Sequence, residues 1–222
     1  DHLVVSIYVN PLQFGPKEDL DTYPRDHEGD SAKCTSVDVD TLFLPPSLYD
    51  EDHSTSVSVA GLTNRLCGAT RPGHFNGVTT VVSRLFGLVQ PHIAVFGEKD
   101  YQQLAVIRRM VRDLSMNVDI IGGPLVRDFD GLALSSRNKY LSAQARVRAL
   151  TLHRALERIR THTSPSSEAR LVAARNILDV DKVDYFEVVD PLTLAPVHQI
   201  TEPARALVAA WIGNTRLIDN MA

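Results

Sequence analysis

The residues of this chain that could do chemistry fall in three polar loops. Lys99 lies in Gly97-Glu98-Lys99-Asp100-Tyr101-Gln102-Gln103, where the apolar run Ile93 to Phe96 gives way to an amphipathic stretch. In an open parallel sheet such a corner lies at the carboxyl end of a strand, and a helix start there offers N–H groups and a positive dipole end to phosphate. Lys99 adds a mobile cation, Asp100 can cap the helix or approach a metal ion, and Gln103 projects from the first turn. Asn10-Pro11-Leu12-Gln13-Phe14-Gly15 presents two uncharged amides, Asn10 and Gln13, which can grip hydroxyls and a carboxylate without quenching its nucleophilicity. Ala133-Leu134-Ser135-Ser136-Arg137-Asn138 follows Val126-Arg127-Asp128 and the turn Asp130-Gly131, and its two hydroxyls plus the Arg137 guanidinium suit a phosphate clamp. Each loop taken singly reads first as a solvated turn, a strand terminator or a capped polar loop. His74, in Arg71-Pro72-Gly73-His74-Phe75, stands beside a helix start, where a lone histidine is more often structural, so it stays outside the catalytic set.

Positioning these loops requires alternating strands and helices. Leu3 to Val9 is an apolar, β-branched strand stopped by Asn10-Pro11, Pro24 to about Thr35 can be helical, and Asp40 to Leu44 is a short strand ended by Pro45-Pro46. Thr55 to Val59 alternates as a strand does. Val78, Val81, Val82, Leu85 and Leu88 fall at helical spacing over Asn76 to Leu88, and Leu104, Ile107, Val111 and Leu114 form a stripe over Asp100 to Leu114. Strands Ile93 to Phe96 and Val118 to Ile121 flank that second helix. The alternation predicts an α/β fold with a doubly wound parallel sheet over residues 1–125. After Val126 the character shifts to Ser142 to Thr161 and Ser166 to Leu178 as helices, and Asp184 to Val189 and Ala206 to Ile212 as strands. Gly213-Asn214 is a favoured tight-turn dipeptide, so residues 126–222 are expected to form a smaller α+β domain with antiparallel pairing.

The bulk numbers narrow the function classes. A formal net charge of −4 argues against a nucleic-acid-coating surface, and Arg108, Arg109 and Arg112 are most simply a solvated helix stripe. Cys34 and Cys67 lack CxxC spacing and the histidines form no HxxxH or HExxH pair, so reduced thiols and no structural zinc are expected. No apolar run approaches the roughly 20 residues that span a bilayer, and no secretory leader is present, which makes a cytoplasmic protein without membrane contact the expectation. The chain begins at Asp1 and enters a strand almost at once, as a fragment or processed product would. Neither GxxxxGK[ST] nor GxGxxG is present, so if the chain binds a nucleotide it does so by another route.

Together, Val4 to Gly15, Tyr23-Pro24-Arg25, Arg71 to Phe75, Phe96 to Gln103 and Asp130 to Asn138 closely resemble, in order and spacing, the pantoate–β-alanine ligases, most densely from Val4 to Leu141. That resemblance implies a two-step reaction: the pantoate carboxylate attacks the α-phosphorus of ATP, with Mg²⁺ assisting, and the β-alanine amine then displaces AMP. It implies that Gln13 and Gln103 hold pantoate, with Asn10 beside them. Gly97, Glu98, Lys99, Asp100, Val126, Leu134, Ser135, Ser136 and Arg137 would bind ATP, and Lys99 and Arg137 would neutralise the developing charge. It further implies a homodimer. Two departures stand out: the family's first strand, turn with a His-x-Gly-His-like signature, and helix are not in this chain, and Gly29 precedes Asp30 where members often place adjacent acidic residues. An inactive fragment and a related nucleotidyltransferase that only transfers AMP are the alternatives, and release of free pantothenate separates them from the ligase.

Overall fold

The computed structural model describes residues 2–16, 18–201 and 203–222. By backbone proximity the chain divides into two compact units, Asp1–Ser58 with Gly73–Gln90, and Val59–Pro72 with Pro91–Ala222.

In the first unit, strand β1 (Val4–Ser6) pairs in parallel with β2 (Thr41–Phe43), from Val4 opposite Thr41 to Ser6 opposite Phe43. β1 is shorter than the expected Leu3 to Val9. The last bond to β2 is Ile7 N–H to the Phe43 carbonyl at 3.0 Å, and Pro11 has no N–H with which to continue. Helix α1 (His27–Ser36) starts on Asp26, whose carboxylate accepts from Gly29 N–H at 3.0 Å. A Cβ at position 29 would lie 2.4 Å from that carboxylate, so Gly29 belongs to the cap.

The expected helix over Asn76 to Leu88 is α3 (His74–Val89), which buries Phe75, Val78, Val81 and Val82 while Leu88 is exposed; the short helix α2 (Leu66–Thr70) belongs to the second unit. The expected strand at Thr55 to Val59 is absent. The buried Thr80 hydroxyl accepts from Val57 N–H at 3.0 Å, and the Thr79 hydroxyl donates to the Val57 carbonyl. Side chains of α3 thus satisfy the extended backbone that a neighbouring strand would otherwise have to pair.

In the second unit, β3 (Ile93–Gly97), helix α4 (Tyr101–Asp113) and β4 (Asp119–Gly123) form a parallel βαβ unit, registered from Ile93 opposite Asp119 to Gly97 opposite Gly123. Of the expected stripe, Leu104, Ile107 and Val111 of α4 are buried, joined by Val106 and Met110, whereas Leu114 beyond the helix is half exposed. Among the described residues the parallel pairing is therefore two two-stranded ladders, β1–β2 and β3–β4. Helices α5 (Ala143–Thr161) and α6 (Ser167–Arg175) start on Ser142 and Ser166, whose hydroxyls accept from Ala145 and Ala169 N–H. They pack with β5 (Lys182–Val189), β6 (Arg205–Ile212) and β7 (Thr215–Met221), an antiparallel sheet in that order, around Leu152, Leu156, Phe186, Val208 and Leu217. Gly213-Asn214 closes the β6–β7 hairpin with Ile212 opposite Thr215 and φ +56° at the glycine, as expected. The class is α/β with a smaller antiparallel α+β part.

Candidate active site

Asn10 and Gln13 bracket a 3₁₀ turn, Pro11–Gln13, in the first unit. The turn is seated on α3 because residue 77 is glycine: a Cβ there would lie 2.3 Å from the Leu12 carbonyl oxygen and 2.5 Å from Gln13 N. Asn10 is 1% exposed. Its amide nitrogen donates to the Gly77 carbonyl at 3.0 Å and to Gln13 Oε1 at 3.3 Å, while its Oδ1 accepts from Leu12 N–H at 3.3 Å and the Tyr49 hydroxyl at 2.9 Å. All four hydrogen-bonding positions of the amide are thus used inside the protein. Asn10 thereby ties the turn that carries Gln13 to α3 and to Tyr49. Burial pushes the Tyr49 phenol up to about 12, so it stays a donor to Asn10 at neutral pH. His74 Nδ1 lies 2.8 Å from the Gln13 carbonyl, and because a carbonyl only accepts, this nitrogen carries the proton. Gln13 is half-buried, its backbone held by His74 and its side chain touched by Asn10.

The Gly97–Gln103 corner lies in the second unit. Gly97 and Gly123 end the paired strands, a 3₁₀ turn at Glu98–Asp100 follows, and α4 begins at Tyr101. Asp100 makes no side-chain cap; its carboxylate stands 3.8 Å from Lys99 Nζ. Lys99 keeps 21% of its side chain accessible. The two glutamines differ in task. Gln102 is buried and clamps the loop before α2, donating to the Leu62 and Arg65 carbonyls at 2.8 and 2.9 Å and accepting from Cys67 N–H at 2.9 Å. Gln103 is half-buried on the adjoining face. Of the pair, Gln102 is the one whose amide is committed to the Leu62, Arg65 and Cys67 backbone.

The third loop is a hairpin whose arms are tied by Leu134 N–H to the Val126 carbonyl at 3.0 Å and by a bridge between Arg127 and Ala133. Val126 and Leu134 are exposed side by side on it. Its tip is pinned by Arg146 of α5, at 2.6 Å from Asp128 and 2.8 Å from Asp130, and that guanidinium holds the Asp130 carboxyl below the usual range. Ser135 caps the following 3₁₀ turn, Ser136–Tyr140, by accepting from Arg137 N–H at 3.3 Å, and Asn138 donates to the Ala133 carbonyl at 3.0 Å. The Ser135 hydroxyl is therefore partly engaged in shaping the loop that presents Arg137.

Within this unit the corner and the hairpin meet at β7. Both 3₁₀ turns pack against that strand. Asn220 donates to the Glu98 and Lys99 carbonyls, and Asp219, with 4% of its side chain exposed, takes a bidentate pair from Arg127 at 2.7 and 2.9 Å. Arg205 stacks 4.0 Å from the Tyr101 ring centroid and reaches Glu98 Oε2 at 3.3 Å. Asp219, Asn220 and Arg205 have no local sequence signal; their roles arise from partners over 90 positions away, apart from the Arg205–Asn220 contact. Among the described residues no three His, Cys, Asp or Glu side chains gather as a metal centre.

Comparison with known proteins adds to this geometry. The family model described as Pantoate-beta-alanine ligase matches residues 1–222. A pantothenate synthetase of Myxococcus xanthus is 50% identical over all of this chain and 79% of its own length, and one of Moorella thermoacetica is 48% identical over all of this chain and 81% of its own. Among solved structures, a pantothenate synthetase of Thermus thermophilus matches 99% of this chain and 83% of its own at 50% identity and a TM-score of 0.96. The pantoate–β-alanine ligase of Francisella tularensis, solved with a β,γ-ATP compound and β-alanine, matches all of this chain and 79% of its own at 33% identity and a TM-score of 0.81. With the family model spanning every residue and half of all positions shared with curated relatives, this chain belongs to the pantoate–β-alanine ligase family.

Proposed function

We propose that this protein condenses pantoate with β-alanine at the expense of Mg·ATP, through a pantoyl-adenylate intermediate, with release of pyrophosphate and AMP. A pantoate carboxylate oxygen attacks the α-phosphorus and the bond to the β-phosphate oxygen breaks; the β-alanine nitrogen then attacks the acyl carbon, AMP leaves and the amine loses a proton. Gln13 and Gln103 hold pantoate, whose carboxylate stays nucleophilic because neutral amides do not quench it. Lys99 and Arg137 neutralise charge spreading over the phosphates, and Gly97, Glu98, Asp100, Val126, Leu134, Ser135 and Ser136 complete the nucleotide site. Asn10 serves by seating Gln13. The carrying observation is that the Lys99 corner and the Arg137 loop are both fastened to one strand, β7, as two arms of a phosphate site must be.

The division of labour we propose follows the change of character near residue 126: residues 1–125 bind ATP and pantoate, and 126–222 contribute the Ser-Ser-Arg loop. The compact units cut the chain differently, because the segment from Pro91 clusters with the C-terminal elements. A cytoplasmic homodimer is part of the same reading. No helix among the described residues is long and apolar enough to cross a membrane. The test is pantothenate and AMP formation by the complete enzyme supplied with ATP, pantoate and β-alanine. Equal yields of both products are expected, with turnover lowered by roughly two orders of magnitude or more in Lys99→Ala. AMP transfer without pantothenate would assign a nucleotidyltransferase instead, and near-normal turnover in Lys99→Ala would remove that lysine from the mechanism.

A further inference from the structure

Asn220, 3% exposed in β7, lies in none of the three loops that carry the proposed chemistry. Its amide nitrogen donates to the carbonyl oxygens of Glu98 and Lys99, both at 2.9 Å, and its Oδ1 accepts from Arg205 Nη1 at 2.6 Å. Its own N–H donates to Asp219 Oδ1 at 2.7 Å. The two N–H donors of this primary amide meet two convergent carbonyls without bringing a charge into the buried strand. The neighbouring Asp219 grips Arg127, whose Nη1 also donates to the Gly131 carbonyl at 3.0 Å across the hairpin turn. Adjacent residues of one strand thereby fix both loops: Asn220 sets the backbone beneath Lys99, and Asp219 sets the hairpin leading to Arg137.

We propose that Asn220 is a positioning residue for adenylate formation, holding the Glu98 and Lys99 carbonyls so that the Lys99 ammonium stands at a fixed place relative to the Val126–Arg137 segment. This rests on the ligase reading above. Asn220 touches no substrate; it acts through the backbone it holds. An amide that merely filled space would be replaced well by its isostere aspartate, whereas a carboxylate cannot donate and would repel the same two carbonyls.

The test compares Asn220→Ser, Asn220→Ala and Asn220→Asp in the complete enzyme. One assay follows pantoate-dependent pyrophosphate release over a range of ATP concentrations; the other follows pantothenate formation from supplied pantoyl adenylate and β-alanine. The expected result is a loss in the first assay on the order of 10- to 100-fold, carried mainly by ATP. The second assay should change by no more than about twofold, since the Lys99 corner serves phosphate departure rather than amide formation. The order expected is Asn, Ser, Ala, Asp from best to worst. Equal loss in both assays, or aspartate performing like asparagine, would overturn the proposal. If the alanine and aspartate variants do not fold, the serine variant, which keeps one donor, decides by the same contrast between assays. A wild-type enzyme without pantoate-dependent pyrophosphate release would refute the ligase reading itself, whereas an active wild type matched by Asn220→Ala would refute this inference alone.

Discussion

Replacing Gly77 by alanine separates stability from substrate binding. The added Cβ would lie 2.3 Å from the Leu12 carbonyl oxygen, 2.4 Å from its carbon and 2.5 Å from Gln13 N, against ordinary contact from 3.4 Å outward, so the turn must retreat by about 1 Å. Alanine for glycine inside a helix is worth roughly 0.5–1 kcal/mol in favour of folding. Overpacking costs about 1–3 kcal/mol, and the Pro11–Gln13 turn, with Leu12 half exposed, is free to yield outward. The net is a loss of about 0–2.5 kcal/mol, or a drop in Tm of at most roughly 10 °C for a chain of this size. Function is less forgiving. A 1 Å shift moves Gln13 and strains the bonds from Asn10 to Gly77 and from His74 to Gln13, and misplacement on that scale can cost about 100-fold. Pantoate saturation curves and thermal unfolding, run on the same preparation, give the two quantities. We expect the pantoate KM to rise about tenfold or more while the protein stays folded. A folded Gly77→Ala enzyme with an unchanged pantoate KM would refute the argument that this seat places Gln13 on the substrate.

Gln103→Ala should raise the pantoate requirement while Gln102→Ala chiefly lowers Tm, since Gln102 holds the Leu62–Cys67 loop; the reverse pattern in kinetics and melting would show the roles exchanged. Arg127→Met leaves the Asp219 carboxylate buried without its partner and should cost about 3–5 kcal/mol in denaturant unfolding, part of it recovered by adding Asp219→Asn; a loss under about 1 kcal/mol would contradict this. His153 of α5 has a buried Nδ1 with no hydrogen-bond partner among the described residues, and its pKa is lowered first by burial and then by Arg127, with Arg160 also opposing and Asp219 and Glu157 favouring the charge. The folded state therefore keeps the ring neutral while the unfolded chain takes up a proton at about pH 6.5. Stability is full above that pH and falls as pH drops below it. His153→Leu should lose less stability than wild type between about pH 7 and pH 5, and an equal loss would show that the ring does not carry the effect.

What could be read from the residues was what they encode locally. The change from Ile93–Phe96 to the stripe Leu104, Ile107, Val111 fixed the corner at Gly97, and Gly213-Asn214 marked the last hairpin, because periodicity and turn chemistry are properties of neighbouring residues. Thr55 to Val59 misled for the same reason: alternation describes a half-covered extended chain, and α3 hydroxyls satisfy that chain as well as a strand does. The burial of Asn10 could not be read either, because an amide after a strand carries no mark of it. Gly77, Asp219 and Asn220 were silent, since what each of them meets is an atom far away in the chain. The candidate loops were thus legible, while the residues that hold them in place were not.

The link from Asn220 to the Glu98 carbonyl spans 122 positions. Contacts so distant in sequence close slowly and late, after helices such as α4 have formed. Nucleotide affinity during refolding should accordingly lag behind the recovery of helical signal and rise only when the β6–β7 ribbon docks. In the native ensemble, an opening of β7, an edge strand of its sheet, would release the Glu98 and Lys99 carbonyls from Asn220 and loosen the Gly97–Gln103 corner.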